Sequence, residues 1–247
     1  MFSFLPSYVG SKKHWVKSLA PIKGSRLVEP FAGSAILSAN LGASAILNDL
    51  DPMIFRILSQ YDKQIVPDVF SKTDYFSVRS SRDWWRYAYC LQKMSFSGVF
   101  RYSKNGYNVP PKPIWEIKVR EEFETNLARW KKLAPVVLNK SFSELDTNLF
   151  RDAVVILDPP YLGSSASYNS TWNGEKYLDF VNTCMGAASS VVIFDKRENL
   201  SRWGFKEASS RSMCVNGKYA TATESVAVFH NGSFHSSIDS LFGQLSL

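Results

Sequence analysis

Short apolar runs alternate with amphipathic stretches at both ends of this chain, and the rhythm breaks in the middle. Arg26-Leu-Val-Glu29 predicts a buried strand, Ala35–Leu41 a helix stopped by Gly42, and Ala45–Leu47 a second strand ending at Asn48-Asp49. Pro52–Tyr61 follows with helical spacing at Ile54, Ile57, Leu58 and Tyr61. Beyond Leu133, strands are predicted at Pro135–Asn139, Asp152–Leu157, Ser190–Phe194 and Glu224–Phe229, with a helix at Glu175–Ala188. Near-continuous apolar strands separated by helices predict an α/β fold whose mostly parallel sheet is covered on both faces. Between Pro67 and Leu133 the pattern gives helices at Asp83–Lys93 and Val119–Leu133 around a Gly/Pro/Asn-rich loop. This segment, 67–133, reads as an inserted lobe, leaving 1–66 and 134–247 as the core.

The 247 residues suit one large domain or a core with an insertion. No apolar stretch approaches the roughly 20 residues of a spanning helix, and Met1–Ser11 lacks the basic start of a signal peptide. A cytoplasmic protein with no membrane partner is expected. Cys90, Cys184 and Cys214 are far apart, and with His14, His230 and His235 they form no metal-ligand spacing, so no metal is expected. The formal net charge of +7 favours a polyanionic partner. Between Ser77 and Lys112 lie seven basic residues, including Arg79, Arg86, Arg101 and Lys104, against one acidic residue, Asp83. Eight aromatics share that window, Trp84, Trp85 and Tyr102 among them. Cations interleaved with rings suit a nucleic-acid surface, and equally an amphipathic helix with solvated arginines. Of the adjacent Trp84 and Trp85, one is expected to face inward.

Ligands of doubly wound sheets bind at the carboxyl ends of the strands. Two such ends carry chemistry here: Glu29-Pro-Phe-Ala-Gly33 and Asp158-Pro159-Pro160-Tyr161. Two prolines remove two backbone donors and restrict the turn, leaving the Asp158 carboxylate and the carbonyls as acceptors beside an aromatic ring. Such a site holds an exocyclic amino group by its two hydrogens while stacking the ring that bears it. A proline-rich loop closing a strand is the plainer reading.

On these motifs the chain resembles the Dam-like, S-adenosylmethionine-dependent DNA adenine-N6 methyltransferases, over roughly Tyr8 to Phe229. Tyr8-Val-Gly-Ser-Lys12 is similar to the family's N-terminal segment, Val28-Glu-Pro-Phe-Ala-Gly33 to its cofactor loop, and Asp158–Tyr161 to its catalytic tetrapeptide. Phe96–Ser103 with Gly106–Pro110 is similar to its DNA-contacting segment, and Arg211–Gly217 with Glu224 to a late segment that packs the flipped base. The resemblance implies a Rossmann-like methyltransferase core of the seven-stranded type with a small, mainly helical DNA-recognition lobe. It implies cofactor contacts from Tyr8, Lys12, Glu29, Phe31, Gly33, Asp49 and Asp158, with Asp49 on the ribose hydroxyls. Catalysis falls to Asp158, Pro159, Pro160 and Tyr161, and DNA contacts to Arg86, Arg101, Tyr102, Lys104 and Asn108. The implied reaction is methylation of a flipped adenine in duplex DNA, at GATC or another short site, without metal or obligate protein partner.

Other readings stay open from the residues alone. Phe31 suits a core ring as well as a cofactor wall, Lys12 a solvated surface, and Arg101 a structural pair with Glu116 or Asp83. An RNA adenine or DNA cytosine-N4 enzyme and a non-catalytic binding protein of the same fold are the rivals. The chain departs from the family at Ala35, where a second glycine is usual, and at Ser97 and Ser103, where asparagines are usual. It departs again at Phe194-Asp195-Lys196-Arg197, in place of a Ser-Asn strand end.

Overall fold

A computed structural model of the protein describes residues 1–5, 10–95, 118–161, 173–215 and 218–238. The apolar runs become the strands of one sheet: β1 (Arg26–Glu29), β2 (Ser44–Asn48), β3 (Val136–Leu138), β4 (Val154–Leu157), β5 (Ser190–Lys196), β6 (Glu207–Val215), β7 (Lys218–His230) and β8 (Ser233–His235). The order is β3-β2-β1-β4-β5-β7-β6, with β8 paired to β7. Strands β1 to β5 run parallel to one another, with Leu27 opposite Val154 and Leu157 opposite Ile193. Strand β7 is antiparallel to β5, and β6 is antiparallel to β7. The mostly parallel α/β sheet expected from the pattern is therefore present, with an antiparallel edge.

Alternation along the strands divides the core between two faces. Leu27, Ile156, Val192, Phe194 and Val226 point to the side of Trp15, Leu19 and Ile22 and of helix α1 (Ile36–Leu41). Val28, Val155, Leu157, Ile193 and Ala227 point to the other, under α6 (Gly174–Ala187) and α7 (Arg197–Arg202). Helix α2 (Pro52–Ser59) is N-capped by Asp51, whose carboxylate accepts from the Met53 N–H, and has proline at its first position.

The middle segment forms α3 (Lys72–Arg79), α4 (Ala88–Met94) and α5 (Lys118–Leu133). A capping box between Ser71 and Asp74 starts α3. Where one helix over Asp83–Lys93 was predicted, a 3-10 turn over Trp84–Tyr87 leads into the shorter α4. Trp85 is buried and Trp84 is half-buried, as adjacent helical positions require. Phe70, Tyr75, Tyr89, Phe123 and Trp130 share one hydrophobic cluster with Ala39, Leu47, Ile54 and Tyr61 of the sheet layer. Helix α5 is tied to α1 because the Arg129 guanidinium donates to the carbonyls of Ala39 and Gly42. Among the described residues, no helix is long and apolar enough to cross a membrane.

Candidate functional site

Central strand β1 lies between β2 and β4, and the chain leaves it towards β2 and returns later on the β4 side. The carboxyl ends of β1 and β4 therefore open at the topological switch point of the sheet. Glu29 ends β1 and Asp158 directly follows β4, so the two motifs singled out in the sequence meet at this place.

The loop after β1 is stitched to the tip of β2. Buried Asn48 donates to the carbonyls of Pro30 and Lys140 and accepts from the Lys140 N–H. The Ala32 N–H donates to the Asn48 carbonyl, and the Gly33 N–H donates to Asp49 Oδ2 at 2.8 Å. Gly33 has φ 46°, a left-handed conformation open to glycine without steric cost. Ala35, the departure from a second glycine, has φ 49°, so this chain keeps the left-handed turn with a methyl group on it. Glu29 Oε1 accepts from the Ser38 N–H at 2.9 Å in the first turn of α1. Asp49 Oδ1 accepts from the Asp51 N–H, so each Asp49 oxygen retains a lone pair beside the glycine turn.

Around Asp158 a polar network is closed from four directions. Lys12 Nζ lies 2.7 Å from Asp158 Oδ2 and 3.3 Å from Glu224 Oε1, and donates to the Gly10 carbonyl at 2.7 Å. Its three N–H donors are thereby committed, and the Lys12 side chain is 5% exposed. Tyr161 donates its hydroxyl to Glu224 Oε1 at 2.8 Å, and the Trp15 indole donates to Glu224 Oε2 at 2.6 Å. Lys12 also stands 5.4 Å from the Tyr161 ring centroid and 5.5 Å from that of Phe194. Pro159 is buried, whereas Pro160 and Tyr161 are half-buried.

Charge is unbalanced here. Strands β1, β2, β4, β5 and β7 each bring a carboxylate to this edge or its immediate continuation: Glu29, Asp49, Asp158, Asp195 and Glu224. Lys12 is the one buried cation among the described residues. Desolvation raises the Glu29 carboxyl to about 7, and raises Asp49, Asp158 and Asp195 to about 6. Asp158 would stand higher without the opposing Lys12 ammonium. Glu224 is held below its ordinary value; desolvation opposes this, but Lys12 and the Trp15, Tyr161 and Lys12 hydrogen bonds outweigh it. Lys12 is raised despite burial because Asp158 and Glu224 face it. Asp195, at the unusual strand end, is 1% exposed. Its Oδ1 accepts from the Lys196 N–H and Asn199 Nδ2, while Oδ2 has no hydrogen-bond partner among the described residues.

Of the residues expected from the sequence, Lys12, Asp158 and Tyr161 touch one another, and Gly33 and Asp49 form a second contact pair beside them. Phe31 is half-buried and packs against Phe142 and Tyr177 at ring distances of 5.5 and 6.0 Å. Arg86 is exposed and lines an open groove with Asp62, Lys63, Gln64 and Trp85. Tyr8, Arg101, Tyr102, Lys104 and Asn108, with Ser97 and Ser103, lie outside the described residues. Trp15 and Asn48 had no assigned role from the sequence, yet one closes the Asp158 network and the other holds the glycine loop. Cys90 and Cys184 are buried free thiols. Among the described residues, no group of three or more His, Cys, Asp or Glu is placed to hold a metal ion.

Type II methyltransferase M.CviBI of Paramecium bursaria Chlorella virus NC1A is 29% identical over 163 residues, 57% of this chain and 61% of that protein. The match thus spans less than two thirds of that relative's length. Among solved structures, the Escherichia coli protein yhhF, described as a methyltransferase, aligns with 12% identity and a TM-score of 0.46, covering 93% of this chain and 91% of that one. An rRNA methylase of Streptococcus thermophilus aligns with 8% identity and a TM-score of 0.40, covering 89% and 95%. The model of the D12 class N6 adenine-specific DNA methyltransferases matches residues 8–182, from the N-terminal segment through both strand-end motifs, and the chain belongs to that family.

Proposed function

We propose that this chain methylates N6 of an adenine flipped out of duplex DNA at a short site, GATC or a related one, using S-adenosylmethionine. The observation that carries the reading is Asp158 at the switch point, held by a buried lysine and followed by two donor-free prolines and a pinned aromatic ring.

The donor set fits the cofactor. Asp49 keeps a lone pair on each oxygen for two vicinal hydroxyls, and the left-handed turn at Gly33 lets the main chain approach closely. The surplus of buried carboxylates over Lys12 favours a cationic ligand. Glu29, Gly33, Asp49 and Asp158 are the described residues that would hold it. When bound, S-adenosylmethionine supplies an electrophilic methyl group on a sulfonium.

The N6 lone pair of adenine is delocalised into the ring, so the amine is a poor nucleophile. Asp158 and the Pro159 carbonyl accept its two hydrogens and localise that pair on nitrogen. The Asp158 charge then opposes the positive charge that grows on N6, in a site that needs no reorganisation. The aminium proton left after transfer passes to Asp158, whose raised carboxyl makes it a competent acceptor. Tyr161 stacks on the base, which must leave the duplex at a cost of a few kcal/mol.

We assign DNA recognition to residues 67–133 and methyl transfer to 1–66 and 134–247. The exposed Arg86 supports a phosphate contact, whereas Lys93, 2.7 Å from Glu122, is already paired. Methyl transfer from labelled cofactor to equal amounts of duplex DNA, single-stranded DNA and RNA tests the reading. Label entering duplex DNA first is expected, and preferential labelling of RNA would overturn it.

A further inference from the structure

We propose that Glu224 is a positioning residue for methyl transfer: one buried carboxylate on β7 clamps the Tyr161 hydroxyl, the Lys12 ammonium and the Trp15 indole. The stacking ring and the partner of Asp158 are thereby set before a base arrives. This rests on the methyltransferase reading above, and Glu224 lies beyond residues 8–182 matched by the family model.

Glu224 sits within β7, in register with Lys196 of β5 on one side and Arg211 of β6 on the other, so its main chain is fixed. Both carboxylate oxygens are engaged: Oε2 accepts from Trp15 at 2.6 Å, and Oε1 accepts from Tyr161 at 2.8 Å with Lys12 at 3.3 Å. A carboxylate held at both oxygens cannot rotate, and at 6% exposure little water competes for it. Trp15 is anchored in turn, with its ring 5.6 Å from that of Phe194. Tyr161 leaves a turn whose two prolines have fixed φ, and its hydroxyl bond holds the far end of the ring. The ring is therefore tied at its hydroxyl and faced by Lys12, at the place where a flipped base must stack. Lys12 is shared between Glu224 and Asp158, so Glu224 also fixes the ammonium from which Asp158 takes its orientation. Glu224 acts through these neighbours and not on the reacting atoms.

The test is a cycle of Glu224→Ala, Glu224→Gln, Tyr161→Phe and their combinations, with kcat, KM for DNA and cofactor Kd measured for each. Glu224→Ala is expected to lower kcat about 30- to 100-fold while cofactor Kd moves less than about threefold. Glu224→Gln, which still accepts from Tyr161, should recover about tenfold of the kcat lost. Tyr161→Phe should cost about three- to tenfold alone and less than about twofold once Glu224 is alanine, because the bond to Glu224 is then already lost. A folded Glu224→Ala with kcat within threefold of wild type would overturn the proposal, as would equal costs of Tyr161→Phe in both backgrounds. If Glu224→Ala does not fold, Tyr161→Phe alone decides, since a kcat within about twofold of wild type would exclude the clamp. Wild-type protein that methylates nothing would instead sink the enzymatic reading itself.

Discussion

Replacing Lys12 by methionine removes the ammonium that faces Asp158 and Glu224 while keeping most of the aliphatic stem. The side chains involved are 5%, 25% and 7% exposed, so water reaches Asp158 only in part and Glu224 hardly at all. Removing one member of a buried ion pair costs about 3–5 kcal/mol, and for a domain of this size each kcal/mol lowers Tm by about 2–4 °C. The lower figure, about 3 kcal/mol, applies at pH 8 and corresponds to a fall of about 6–12 °C. Lowering the pH changes the loss in a direction fixed by the charges. Lys12 has a raised folded pKa, so its contribution is complete throughout pH 6–8 and is lost only in strong alkali. Asp158 already stands at about 6 with Lys12 present, and without it rises further. Between pH 8 and 6 the variant's Asp158 takes up a proton that the unfolded chain does not bind, so the deficit shrinks by up to about 1.4 kcal/mol per pH unit. Thermal melts of both proteins across pH 6–8 measure this. A loss below about 1 kcal/mol at pH 8, or one independent of pH, would refute the reasoning.

Three further outcomes follow from the same contacts. The folded-state carboxyls of Glu29 (about 7) and of Asp49, Asp158 and Asp195 (about 6) lie above their unfolded values, so the ligand-free protein should become more stable as pH falls from 8 towards 5.5; a flat or opposite Tm profile contradicts this. Ala134, exposed at the end of α5 with φ 43° and its N–H donating to the Trp130 carbonyl, occupies a glycine conformation, so Ala134→Gly should raise stability by about 1 kcal/mol in denaturant titration. If Arg86 meets a DNA phosphate, Arg86→Ala should weaken binding to all sequences alike and reduce the salt dependence of log K by about 1 in filter binding.

The central strands were legible because burial on both faces writes itself as unbroken apolar runs: Val154–Leu157 and Val191–Phe194 are fully covered and carry no polar residue. Strand β6 and the first half of β7 were not, since Glu-Ala-Ser-Ser-Arg and Lys-Tyr-Ala-Thr-Ala-Thr lack the apolar runs that mark buried strands. Helices α3 and α7, with 8 and 6 residues, were too short for periodicity to declare them. At the site, Asp158–Tyr161 and Glu29–Gly33 were readable because the backbone itself demands proline and glycine there. The Trp15–Glu224 bond joins positions 209 residues apart, and no local pattern signals such a pairing. Lys12 was visible as a motif, but its commitment to two carboxylates depends on β4 and β7 converging and could not be read from its neighbours.

The most direct test of the account is nucleoside mass analysis of unmethylated duplex DNA after incubation with the protein and S-adenosylmethionine, run beside Asp158→Asn. The asparagine keeps the shape of the side chain but loses the charge that localises the N6 lone pair, and Lys12 loses its nearest counter-ion. The account predicts N6-methyladenine with the wild type, reduced at least about a hundredfold in rate by Asp158→Asn. N4-methylcytosine in its place, or N6-methyladenine formed as fast by the variant, would contradict it.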